Sequence, residues 1–218
     1  MQMEEATWRV SADDSLQAVL DDPACPPLLS HVLKAVHSWQ VRNETTVGRT
    51  LRASQLMPQW TAALLALGAT ATVERDEDAE VMKLEDLVQG RVEGTPTFLQ
   101  APQRDSSHWG EARVARTPSD DPIVAAMAVV KFADGVVEDA RVALTGVSSQ
   151  PVWLADAVDR LLGRALDLEQ IEMVASAVAD EVQPQGDYLG SEEYRRALAG
   201  VLTRRALESC LEQEAGDE

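Results

Sequence analysis

Two apolar runs hinged on Asp134-Gly135 constrain this chain more tightly than any other stretch. Asp-Gly accepts the positive φ that a two-residue hairpin turn requires, so the runs are expected to pair as antiparallel strands. In the first run Val124, Ala126, Ala128, Val130 and Phe132 share one face, and Ile123, Ala125, Met127 and Val129 share the other. Both faces are apolar, which predicts a strand covered on both sides. In the second run Ala140, Val142 and Leu144 alternate with Asp139, Arg141 and Ala143, which predicts one wet face. Alanine and methionine also favour helix over 122–132, but the β-branched residues and the turn decide for strand.

The flanking sequence must supply the cover. Residues 1–40 read as helical. Ser11 is placed to cap a short helix carrying Leu16, Val19 and Leu20, with Asp13 and Asp14 in its first turn. Asp21-Asp22-Pro23 ends it, and Pro26-Pro27 opens a second helix through Leu28, Leu29, Val32, Leu33 and Val36, with Trp39 at its end. The polar stretch 40–54, QVRNETTVGRTLRAS, leads to a buried helix over 60–67 stopped by Gly68. A strand from Ala69, a charged turn over 74–80, a return strand over 81–84 and a helical turn over 84–87 follow. Residues 90–112 collect Gly90, Gly94, Pro96, Pro102, Ser106, Ser107 and Gly110, and read as a linker. Two domains are therefore expected, 1–110 and 111–218. Beyond the hairpin, Ser149-Gln150-Pro151 turns the chain into three helices. The first covers about 154–162. The second covers about 167–182 and carries Ile171, Val174, Val178 and Val182 in a row. Ser191 caps the third, whose inner row is Tyr194, Leu198, Leu202 and Ala206, with fraying from about Gln213.

Composition excludes several function classes. The formal net charge of −18 repels nucleic acid and anionic membranes, which bind through cationic side chains. No run approaches the ~18 apolar residues of a membrane span. The opening MQMEEATW is acidic and lacks the apolar core of a secretory signal, so a cytoplasmic location is expected. Cys25 and Cys210 form no C-x-x-C, which leaves zinc and iron–sulfur sites without support, and a reducing compartment argues against a disulfide between them. His31, His37 and His108 have no metal-ligand spacing. Asp120-Asp121 and Glu192-Glu193 are best read as a turn and a helix start, and no catalytic residue is assigned.

The second half resembles the C-terminal domain of the flavoprotein (medium) subunit of molybdenum hydroxylases, the family of carbon monoxide and xanthine dehydrogenases. The likeness rests on R-x-x-x-D-x-P-I-V-A-A-M-A-V from Arg116, V-x-D-A-R-V-A-L-T-G-V from Val137, and P-Q-G-D-Y-x-G-S-x-E-Y-R-R-x-L-A-x-V-L-x-R-R-A-L from Pro184. The first half is similar to the second subdomain of that family's FAD-binding portion. Its pattern, roughly Q-I-R-N-x-x-T-I-G-G-N, reads Q-V-R-N-E-T-T-V-G-R-T here from Gln40, and ALLALGATATV and KLEDLVQG follow. The fold class implied is α+β: part of a PCMH-type FAD-binding domain, then a three-stranded antiparallel sheet on a three-helix bundle. In the last motif the resemblance makes Tyr194 a packing residue, with Arg195 and Arg196 reaching carboxylates or neighbouring chains.

FAD is the cofactor the resemblance implies, with Asn43, Thr45, Thr46 and Gly48 as the matching remnant of its site. Molybdenum-binding and iron–sulfur subunits are the implied partners, and a homo-oligomer is compatible with the pattern. Three departures weaken the cofactor site. WRVSADDSLQAVL enters the family pattern after the N-terminal subdomain that carries the other Gly-rich loop. Arg49 replaces the second glycine, which brings strain of ~1–2 kcal/mol if φ is positive there. Gln59 stands where the family places an Asp. The chain is therefore expected to bind FAD weakly or not at all and to act as an interaction subunit. The alternative is an FAD-dependent electron-transfer component whose missing loop comes from another chain; if active, it is an oxidoreductase subunit.

Overall fold

The computed structural model describes residues 6–36, 38–75, 78–103, 107–117 and 120–217. The chain divides into two compact units, Met1–Arg104 and Asp105–Glu218. The expected boundary at 110/111 lies inside the first strand of the second unit.

The first unit opens with a strand, β1 (Ala6–Ser11), which corrects the expectation of helix throughout 1–40. Trp8 and Val10 are buried while Thr7 and Arg9 are exposed, the alternation of a half-buried strand. Ser11 caps no helix. That role falls to Ser15, whose hydroxyl accepts from the Ala18 amide at the start of α1 (Leu16–Asp21). Asp14 accepts instead from the Ser11 amide at 3.0 Å.

α2 (Pro27–Val36) buries Leu28, Leu29, Val32 and Leu33. The polar stretch after it is two short helices, α3 (Trp39–Glu44) and α4 (Val47–Arg52), so Trp39 opens a helix rather than closing one. α5 (Pro58–Ala66) is buried from Gln59 to Ala66 and ends at Gly68, as expected. β2 (Thr70–Arg75), β3 (Asp78–Lys83) and α6 (Leu84–Val88) follow.

Most of the expected linker is sheet. β4 (Thr95–Gln103) lies between β1 and β2 in the antiparallel order β1-β4-β2-β3. Its prolines obscured this, because an interior strand needs its N–H groups. Pro96 lies opposite Val73, where the register shifts, and Pro102 lies opposite Thr7 near the strand's end. Each missing donor therefore falls at a bulge or a terminus.

In the second unit β5 (Ser107–Val114), β6 (Val124–Ala133), β7 (Val136–Thr145) and a two-residue β8 (Trp153–Leu154) form an antiparallel sheet in that order. The expected three strands thus gain a short fourth. Asp134 and Gly135 take φ of 52° and 75°, the turn their sequence demanded. β6 is buried on both faces from Val124 to Val130. The wet face of β7 ends at Arg141, since Ala143 is fully buried.

The expected helix over 154–162 is a 3-10 segment, Asp156–Leu161. The Glu181 carboxylate holds its first amides, Asp156 and Ala157, at 3.0 Å each and accepts from Trp153 Nε1 at 2.8 Å. α7 (Leu168–Glu181) is capped by Asp167. α8 (Glu192–Asp217) begins after Ser191, whose hydroxyl accepts from the Tyr194 amide. It does not fray at Gln213. The Gln213 side chain pairs with edge strand β5 as an added strand residue would: Nε2 donates to Trp109 O at 2.6 Å and Oε1 accepts from Trp109 N at 3.3 Å. One residue on, Glu214 pairs with the buried His108 ring at 2.8 Å. The inner row of α8 is Arg195, Ala199, Leu202, Ala206 and Cys210; Tyr194 stays 44% exposed, which corrects its expected packing role.

Candidate functional site: the corner between α3 and α4

The corner between α3 and α4 gathers all four residues marked in the sequence. Asn43 lies in the last turn of α3, exposed, with its amide donating to Trp39 O at 2.8 Å. Thr45 is the buried C-cap of α3, and Thr46 is the N-cap of α4. Gly48 is the second residue of α4 and is buried. Arg42 pins α3 from beneath: its Nε donates to Gln17 Oε1 at 2.9 Å and its Nη1 to Leu33 O at 3.1 Å.

A dinucleotide site needs backbone N–H groups turned toward the pyrophosphate. At the start of α4 the amides point inward and are engaged. Val47 N donates to Asp14 O at 2.9 Å, Gly48 N to Ala12 O at 2.7 Å, and Arg49 N to the Thr46 hydroxyl at 3.3 Å. Leu16 N, from the facing segment, donates to Thr45 O at 3.0 Å. The turn between β1 and α1 is thus stitched to the corner. Gly48 serves that stitch: a Cβ there would stand 3.0 Å from both the Cβ and the carbonyl oxygen of Ala12. The Val47, Gly48 and Arg49 amides at this corner are thus all hydrogen-bonded within the chain.

Arg49 lies inside α4, and among the described residues the one non-glycine with positive φ is Asp134, so the strain expected at Arg49 does not arise. Its side chain is exposed. Gln59, at the start of α5, is only 2% exposed, and its Oε1 has no hydrogen-bond partner. The neighbouring Trp60 ties α5 to α4 through Nε1 to the Thr50 hydroxyl at 3.1 Å. Sequence reading marked Gly48 and Gln59 but missed Ala12 and Asp14. The signal available was the small residue followed by two acids just before a helix, a compact turn able to receive another backbone.

The motif near the C-terminus builds an anchor. Arg195, 6% exposed, donates through Nη1 to Ile123 O at 2.7 Å and Gly146 O at 3.0 Å, and through Nη2 to the Asp187 carboxylate at 2.8 Å. The hydrogen bond from Arg195, with those from the Leu189 and Gly190 amides, holds the Asp187 carboxyl below its usual range. The carboxylate expected as an arginine's partner is therefore Asp187. Cys25 and Cys210 are both free and buried. Burial pushes the Cys210 thiol up to about 12, which leaves it inert. Among the described residues no group of three or more His, Cys, Asp or Glu is placed to hold a metal, and no helix is long and apolar enough to cross a membrane. His37 lies outside the described residues.

Residues 112–210 match the family model of the CO dehydrogenase flavoprotein C-terminal domain. The chain is 25% identical over 186 residues to the glyceraldehyde dehydrogenase medium chain of Sulfolobus acidocaldarius, covering 83% of this chain and 66% of that relative. It is 30% identical over 213 residues to the uncharacterized protein YgfM of Escherichia coli K12, covering 96% and 74%. In three dimensions it is similar to the carbon monoxide dehydrogenase of Hydrogenophaga pseudoflava, with a TM-score of 0.84 and 23% identity over 97% of this chain and 77% of that one.

Proposed function

Because this chain belongs to the CO dehydrogenase flavoprotein family, the medium chains of molybdopterin dehydrogenases, we propose that it serves as a docking subunit that does not hold FAD by itself. The observation that carries this reading is the engagement of the Val47, Gly48 and Arg49 amides by Asp14, Ala12 and Thr46. Opening those bonds to admit a phosphate would uncover the Asp14 and Ala12 carbonyls, at ~1–3 kcal/mol for each group left unsatisfied. The buried amide of Gln59 supports the same reading, since it brings no negative charge to α5. The partners of the reading are a molybdenum-binding and an iron–sulfur subunit, in the cytoplasm.

The chain spans 66% of the length of the glyceraldehyde dehydrogenase medium chain. A second reading draws on the Thr45, Thr46 and Gly48 matches: FAD held jointly with another polypeptide, making this chain one half of an electron-transfer component. Protein purified with added FAD separates the two. On the docking reading the chain alone is colourless, and a complex co-expressed with candidate partner subunits releases no FAD on acid denaturation. FAD released only from the co-expressed complex supports the second reading, and a near-stoichiometric flavin band in the chain alone rejects the first.

A further inference from the structure

We draw no further inference here: the strongest candidate, the surface patch of exposed side chains at the α3–α4 corner, Trp39 and Val41 on α3 with Arg49 and Arg52 on α4, carries nothing, because nothing in the structure shows what covers it, and Glu44 and Asp13 at the same corner offset the two arginines and leave no charge that selects a partner.

Discussion

At Gly48 a Cβ would meet the backbone of Ala12 at 3.0 Å, on the one segment that receives the α4 amides. Gly48→Ala is therefore expected to lower stability by ~1–3 kcal/mol, the cost of overpacking, and to do so equally with or without FAD in a thermal melt. Arg195 makes a different demand, since its planar fork serves two backbone carbonyls and a carboxylate at once. Arg195→Lys keeps the charge and loses the fork, so chemical denaturation is expected to show a loss of about 1.5–3 kcal/mol. The Asp187 carboxyl is depressed from its ordinary 3.8 by that arginine first and by the Leu189 amide next. A depressed carboxyl contributes stability that is complete above its unfolded value and is lost as pH falls through the folded one. Asp187→Asn should consequently flatten the unfolding profile below about pH 4, while leaving its slope near neutrality unchanged.

Among the elements, α8 reaches Asp217 because its last turns are fastened to β5. Gln213→Ala with Glu214→Ala is expected to speed amide exchange in the final turn of α8 and at Trp109 in β5, measured by hydrogen–deuterium exchange. Exchange in β6 and β7 should stay as in wild type. Gly135 tests the hairpin alone. A Cβ there meets nothing within 4 Å, so Gly135→Ala should cost only backbone strain, ~1–2 kcal/mol in equilibrium unfolding. These elements also show what the sequence could convey. The β6–β7 hairpin was readable because periodicity and the Asp-Gly turn agree, and α5 because an apolar run ends in glycine. β1 was not, since WRVS is too short to show its period, and β4 was hidden by two prolines whose harmlessness depends on register. The end of α8 was illegible for a related reason: its stability lies in contacts to residues about a hundred positions earlier. At the candidate site, Gly48 was legible as a position but not as a role, because its partner Ala12 belongs to another element.

The whole molecule is an acidic two-unit chain whose thiols, Cys25 and Cys210, are buried one in each unit. Neither should react with a disulfide reagent at pH 8 until the protein unfolds, when two thiols should titrate together; Cys210 in particular sits up to about 12. In the first unit, a corner whose amides are already bonded inward is proposed not to accept a dinucleotide. Isothermal titration of FAD into the purified chain addresses it directly. No saturable heat is expected at micromolar protein, and no change on replacing Thr46, beyond the stability lost with its cap. A one-to-one isotherm with submicromolar affinity, abolished by Thr46→Ala in a folded variant, would contradict it.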